Sequence, residues 1–296
     1  MGLSTKWGRE IDRNHVLEEY PRPQLVRESY LNLNGEWDYS ITSSPKLPEK
    51  YKGKILVPFS PETQLSGVGR QVMPEEVLHY RRNVVLTEDF FTGGRCLLHF
   101  GAVDQSCAVF WNGTEVIRHE GGYLPFTADV TELARTGDNV LQVAVKDPSD
   151  TSCHARGKQK LKRGGMWYTA QSGIWQTVWM ECVPEDYITA LRLSCRYDEG
   201  KLELKALSNH RASLAARALI TLRGEKVGEF EFSTDRTVLF PIKDFESWTP
   251  EQPVLYDISV SAGKDRVKSY FAMRKVSVGA DKNGILRFML NNRPYF

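Results

Sequence analysis

The sequence predicts an all-β protein made of two successive β-sandwiches. Short stretches of alternating apolar and polar residues recur along the whole chain, separated by Gly, Pro and Asn-Gly turn signals. Helical periodicity is nearly absent, apart from a turn at residues 129–134. The length of 296 residues, at roughly 150 residues per domain, points to two domains. Hydrophobic and charged contents of 41% and 26% are ordinary for a globular chain that buries a core.

The first module opens with a polar lead, residues 1–28, in which Pro21 and Pro23 impose an extended path. Residues 30–41 (YLNLNGEWDYSI) alternate around Asn34-Gly35, a strand signal with a tight turn. Residues 55–59 lead through Pro58 and Pro61 into a loop with Gly67 and Gly69, and residues 80–86 form the next strand. Residues 97–100 follow, then 108–111 and 114–117 around Asn112-Gly113. That pair supplies the positive φ angles of a two-residue hairpin turn. After Gly121-Gly122 and Pro125, residues 140–145 alternate again.

From Asp147 to Arg163 the pattern stops in a long, basic segment, DPSDTSCHARGKQKLKR. Loops of this length in compact domains are functional or simply solvated, and Arg156, Lys158 and Gln159 can donate to hydroxyls and carboxylates. The following stretch, GGMWYTAQSGIWQTVWM (164–180), holds Trp167, Trp175 and Trp179 of the seven Trp in the chain, together with Tyr168. From Ile174 onward apolar side chains fall on both faces, the mark of a strand covered on both sides. Two readings of the turn ahead of it stay open: a core strand with a glycine bend, or a bend that carries Trp167 and Tyr168 to a sugar.

Beyond Pro184 the strands at residues 187–197, 201–207, 218–223, 227–232, 254–260 and 267–273 carry fewer aromatics. Residues 213–219 (SLAARAL) score as helix by propensity, but a helix that short between strands is marginal, so they read as strand. About seven short strands in roughly 90 residues fit an immunoglobulin-like sandwich. Residues 284–290 alternate once more, and NNRPYF stops in mid-pattern at Phe296, as a cut chain would.

Several function classes are excluded. A net charge of +2 is too small to point to nucleic acid or an anionic membrane, and no apolar run approaches the roughly 20 residues of a membrane span. Five cysteines without CxxC spacing, and no visible leader, favour a reducing compartment, the cytoplasm. Gly67-Val68-Gly69 lacks the third Gly of a dinucleotide fingerprint, with Val72 in its place. Arg156-Gly157-Lys158-Gln159 is no phosphate loop, and the 158–163 cluster has no interleaved aromatics for nucleic acid. Cys153-His154 reads as a surface pair without a metal set. His79, His99 and His119 read as locally hydrogen-bonded. Asn112-Gly113-Thr114 matches a glycosylation sequon, but the hairpin needs the same Asn-Gly. No cofactor and no metal is expected.

Seven blocks in order carry a resemblance: LNLNGEWDYSI, VPFSPETQLSGV, YRRNVVL, FGAVDQSCAVFWNGTEV, HEGGYLPFTADVTEL, NVLQVAVKDPSD and GGMWYTAQSGIWQTVWME. They resemble the sugar-binding N-terminal domain of glycoside hydrolase family 2, which includes β-galactosidases, β-glucuronidases and β-mannosidases. WTPEQPVLYDISV and SYFAMRKVSV resemble its immunoglobulin-like domain, and GILRFMLNNRPYF its entry into a (β/α)8 barrel. The resemblance implies a galactose-binding-domain-like jelly roll over residues 1–184, an immunoglobulin-like sandwich over 185–278, and a lead-in to an absent barrel over 279–296.

The family cleaves β-glycosides with retention, using one Glu as acid/base and another as nucleophile. Both lie on the barrel, roughly 5 Å apart. A barrel takes about 250 residues, so neither catalytic Glu is expected here and the chain by itself should be inactive. Glu18-Glu19 and Glu75-Glu76 are sequence neighbours that point apart on a strand and read as solvated surface. In β-galactosidases and β-glucuronidases an Asp shortly before the Ser/Ala-Gly-Ile segment reaches the sugar; counting back from Ser172 places Trp167 there instead. Asp150 then stands in for the acid and Trp167 for a stacking surface, with Arg156, Lys158, Gln159 and Tyr168 as further substrate contacts. The expected partners are a β-glycoside or oligosaccharide, the catalytic barrel and like chains in an oligomer, with neither nucleic acid nor membrane. The alternatives are a free-standing lectin-like module and a pure scaffold or adhesion module.

Overall fold

The computed structural model describes residues 4–91 and 94–295; Phe296, on which the last alternating stretch stops, lies outside them. The chain forms two compact units. The first holds the N-terminus to Pro21 and Ser29–Val183, the second Arg22–Glu28 and everything from Pro184 onward.

The first unit is a jelly-roll sandwich of two antiparallel sheets. One has the strand order Tyr30–Asn32, Val178–Val183, Arg95–Phe100, Phe126–Asp129. The other runs Gly53–Val57, Gly35–Thr42, Val77–Leu86, Gly137–Lys146, Ser106–Trp111, Thr114–Glu120. Gly137–Lys146 shows why this pairing forms. Its inward positions Leu141, Val143 and Val145 are all buried while Val140, Gln142 and Ala144 on the other face are only half-buried, the period-2 pattern of a sheet with one face on a core. That core joins Trp37, Tyr80 and Trp111 of the larger sheet to Leu98, Phe100, Val178 and Met180 of the smaller one. All six residues of Val178–Val183 are buried, as expected of a strand covered on both faces.

Asn112 and Gly113 turn the Ser106–Trp111/Thr114–Glu120 hairpin with φ of 51° and 83°. The Asn112 amide nitrogen is already committed to Leu133 O and Asn139 Oδ1. Asn34-Gly35 differs from the tight turn expected of it. Tyr30–Asn32 and Gly35–Thr42 lie in different sheets, so the pair is a crossing between layers. Buried Asn34 secures it, donating to Val16 O at 3.2 Å and Thr177 Oγ1 at 3.2 Å and accepting from Val178 N at 3.1 Å. The polar lead also holds a helix the sequence pattern did not reveal, Lys6–Glu10, capped by the Thr5 hydroxyl at Gly8 N.

The second unit is an immunoglobulin-like sandwich. Ile188–Arg196, Lys201–Ser208 and Val238–Pro241 form one sheet; Glu225–Ser233, Ala215–Leu222, Tyr256–Ala262 and Asp265–Phe271 form the other. Residues 213–219, with their helical propensity, lie largely in the Ala215–Leu222 strand, because pairing on both edges and burial of Ala216, Ala218 and Ile220 outweigh propensity. A third sheet, Val276–Ala280, Leu286–Leu290 and Arg293–Pro294, pairs Val276 with Leu290, Val278 with Phe288 and Ala280 with Leu286. These partners share one face, and it is bare: Phe288 is 75% exposed.

Residues Arg22–Glu28 belong to the second unit, although they precede the first strand of the jelly roll. Val26 exchanges both backbone hydrogen bonds with Lys268, at 2.8 and 2.9 Å. Next to it, buried Arg27 grips buried Asp265 with two bonds, at 3.0 and 2.8 Å, and donates to Ile188 O. Asp265 in turn accepts from Ile188 N at 2.7 Å. A buried pair of this kind strands one charge when the other is removed, at a cost of about 3–5 kcal/mol. Arg27→Leu should therefore lower the stability of the second unit by about that amount in urea titration, while Arg27→Leu/Asp265→Leu together should recover most of the loss.

Candidate functional site

The loops at one end of the jelly roll meet around a two-residue bridge, Val103–Asp104 paired with Gly173–Ile174. Gly173 is required there. It has φ of 79°, and a Cβ at that position would lie 2.1 Å from the Tyr80 hydroxyl and 2.9 Å from Leu78 Cδ2. Tyr80 is fully buried, stands edge-on to Trp37, and its hydroxyl accepts the Ile174 N–H at 3.2 Å. One residue earlier, Ser172 donates its hydroxyl to Glu62 at 2.7 Å and its N–H at 3.2 Å, and Val72 N also binds the Glu62 carboxylate. Three contacts from separate strands and loops therefore fix the chain at residues 172–174.

Beside this bridge lies a buried acidic group. Asp104, 4% exposed, packs against Gly122, and its Oδ1 has no hydrogen-bond partner within the protein. Burial, and then the negative charges of Asp147 and Glu62, push its carboxyl up to about 7. Burial also raises Asp147 and Glu62 above the usual carboxylate range, against the opposing hydrogen bonds each one accepts. His154 corrects the expectation of a surface pair with Cys153. Its side chain is only 11% exposed, with Nε2 3.7 Å from Asp147 Oδ1, while Cys153 is exposed. The fold turns this side chain inward toward buried Asp147, which residue type and spacing could not reveal. Trp175 donates from Nε1 to Gly122 O and meets half-exposed Tyr123 edge-on. Among the described residues, no group of His, Cys, Asp and Glu is arranged to hold a metal ion.

The long basic loop is more ordered than its sequence pattern. Ser149–Thr151 form a 3-10 turn, and Gln159–Lys160 pair in parallel with Tyr168–Thr169. Asp150 accepts from Leu161 N at 3.3 Å and so serves the loop's own backbone. Arg156 folds back to Ser152 O at 2.9 Å, and Gln159 accepts from Gln171 N at 2.7 Å. Lys158 is exposed. Trp167 closes a tight turn with Gly164, each bonding the other's backbone. Its ring lies 4.2 Å from Lys160 Nζ and is 37% exposed; Tyr168 is 68% exposed. Of the sequence-selected residues, Lys158, Trp167 and Tyr168 thus face outward, whereas Asp150, Arg156 and Gln159 bind the loop itself. Glu62, Asp104, Asp147 and His154 were not singled out as site residues, because their proximity arises from loops far apart in the chain.

Comparison with known proteins fits this architecture. Residues 66–184 match the family described as glycosyl hydrolases family 2, sugar binding domain. A putative β-glucuronidase of Formosa agariphila is 27% identical over 175 residues, covering 55% of this chain and 20% of that protein. A β-galactosidase of Clostridium acetobutylicum is 24% identical over 270 residues, covering 79% of this chain and 29% of that protein. Among solved structures, a β-glucuronidase from an uncultured Clostridium superposes with a TM-score of 0.70 at 23% identity, covering 92% of this chain and 49% of the other. A Faecalibacterium prausnitzii β-glucuronidase does so with a TM-score of 0.70 at 22% identity, covering 93% of this chain and 50% of the other. The fold is that of the paired β-sandwich modules in the superposed half of those two structures. More particularly, residues 66–184 resemble the sugar binding domain of glycosyl hydrolases family 2. The chain spans less than a third of the length of these two curated relatives and about half that of the two solved structures.

Two consequences can be measured. Gly173→Ala should lower stability by about 3 kcal/mol in chemical denaturation, since the new methyl group meets the Tyr80 hydroxyl in a backbone conformation that L residues avoid. The raised Asp104 carboxyl holds its proton in the folded state at pH values where the unfolded chain has released it. Its contribution is therefore full below the ordinary carboxylate value of 3.8 and is lost as pH rises through about 7. Asp104→Asn, neutral throughout, should flatten the decline in melting temperature between pH 4 and pH 7 relative to the unsubstituted protein.

Proposed function

We propose that this chain is the non-catalytic N-terminal part of a retaining β-glycosidase, which supports a catalytic barrel and lines one side of its sugar pocket. The observation that carries the reading is the match of residues 66–184 to a sugar-binding domain found in far longer proteins named β-glucuronidase and β-galactosidase. The bare apolar face of Val276, Val278, Leu286 and Phe288 supports it as well, since a contiguous exposed patch of this kind marks an interaction surface. On this reading the sugar-facing wall is the Asp147–Gly173 segment with Trp167 and Tyr168 at its tip. Rings offer a flat apolar face to a sugar, and the anchored Gln171–Ile174 stretch holds them in place. The bond-breaking electrostatics belong to two Glu residues of the barrel; this region contributes orientation and hydrogen bonding. The cytoplasm remains the proposed compartment, in keeping with cysteines that no disulfide joins, and like chains are proposed as oligomer partners.

Exposed Tyr168 and Trp167 also favour a second reading, a carbohydrate-binding module that works without a barrel. Two measurements on the 296-residue chain separate them. Assayed with 4-nitrophenyl β-galactoside, β-glucuronide and β-mannoside, the chain should show no turnover, and turnover would overturn the non-catalytic assignment. Calorimetric titration with the corresponding oligosaccharides should give weak binding; tight binding lost in Trp167→Ala favours the free-standing module.

A further inference from the structure

We propose that the 156–163 loop is an anion-selective saccharide contact, which recognises sugars bearing carboxylate or sulfate groups. This deepens the reading of the same loop as a sugar-facing wall and rests on it.

The charge distribution is the starting point. The whole chain carries a net charge of only +2, yet residues 156–163 hold five cations, Arg156, Lys158, Lys160, Lys162 and Arg163, and no acid. Elsewhere basic side chains are commonly neutralised: Arg196 by Glu203, Arg223 by Glu246, Lys226 by Glu229 and Lys275 by Asp198. None of the five loop cations forms an ion pair with a carboxylate among the described residues. Their contacts are neutral: Arg156 with a backbone carbonyl, Arg163 with the Thr169 hydroxyl at 3.0 Å, and Lys160 with the Trp167 ring. Asp150, the nearest acid in the loop, is occupied with the Leu161 N–H.

These charges stand on a fixed frame. Tyr168 N binds Lys158 O at 2.8 Å, Gln71 Nε2 binds Leu161 O at 3.2 Å, and Gln159 is held by Gln171. Like charges gathered on an ordered segment repel one another, and an anionic ligand relieves that repulsion. Exposed Lys158, Lys162 and Arg163 supply the charge-assisted donors. Tyr168 and Trp167, joined to the same segment by the Gln159–Lys160/Tyr168–Thr169 pairing, supply ring faces. Cations beside aromatic rings favour an acidic sugar over a neutral one, because only the acidic sugar engages both.

The test is calorimetric titration of the 296-residue chain at low and moderate salt with four probes: an oligogalacturonide, a sulfated neutral oligosaccharide, the same oligosaccharide without sulfate, and a single-stranded DNA oligonucleotide. Binding of at least one acidic probe about 10-fold tighter than the neutral one, weakening as salt is raised, is the expected result. The preferred acidic probe identifies carboxylate or sulfate as the group read. Lys158→Gln/Lys162→Gln/Arg163→Gln should abolish this preference with an unchanged melting temperature, and the corresponding Lys158→Arg/Lys162→Arg variant should keep it. Equal binding of acidic and neutral probes overturns the inference and leaves the sugar wall standing. Binding of no saccharide at all overturns both. Binding of single-stranded DNA as tight as that of the acidic sugars overturns carbohydrate selectivity.

Discussion

The hydroxyl of Tyr80 occupies the space that a side chain at position 173 would need, and it receives the next backbone N–H. This close approach decides much of the first unit. Tyr80 sits in the centre of the larger sheet, so its hydroxyl ties the core of that sheet to the segment that leads into Val178–Val183, the buried strand of the smaller one. A buried phenolic hydroxyl needs a partner, and the backbone at Ile174 provides it only because residue 173 lacks a Cβ. Glu62 then secures Ser172 from the other side. The tip with Trp167 and Tyr168 is thus attached to a stretch with little freedom to move.

Next to this anchor the protein tolerates a costly arrangement. Three carboxyl groups, Glu62, Asp104 and Asp147, lie in a largely buried neighbourhood where burial and mutual repulsion both oppose ionisation. Glu62 and Asp147 are compensated by bonds from backbone N–H groups and the Ser172 hydroxyl. Asp104 has less, and it responds by holding its proton. The second unit answers a buried carboxylate differently. Asp265 is matched by Arg27 in two-point contact, together with the Ile188 N–H. One acid is driven toward its protonated form by burial and neighbouring negative charge, and the other lies against a guanidinium.

The electrostatic contrast extends to the surface. Several cations of the second unit, Arg196, Arg223, Lys226 and Lys275 among them, are spent on nearby acids in exposed pairs that contribute little individually. The 156–163 loop gives its cations only neutral partners and sets them beside exposed rings. Order in this loop comes from backbone pairing and from amide side chains, which leaves the charged ends available.

The alternation of apolar residues, together with Asn112-Gly113, was enough to determine the all-β class, the position of most strands and the buried character of Val178–Val183, because these depend on local periodicity and turn stereochemistry. At Trp167 and Tyr168 the Gly pair allowed either a bend before a core strand or rings carried outward, and only the folded chain shows both rings exposed. Tertiary structure alone decided that Asn34-Gly35 crosses between sheets, that Arg22–Glu28 joins the second unit through Val26 and Arg27, and that Glu62, Asp104, Asp147 and His154 share one buried neighbourhood. It also turned Asp150 and Gln159 toward the loop's own backbone. In each case the partner lies many residues away or is a backbone group, and no spacing rule in one sequence records which distant N–H or carboxylate a side chain will meet once the sheets have closed.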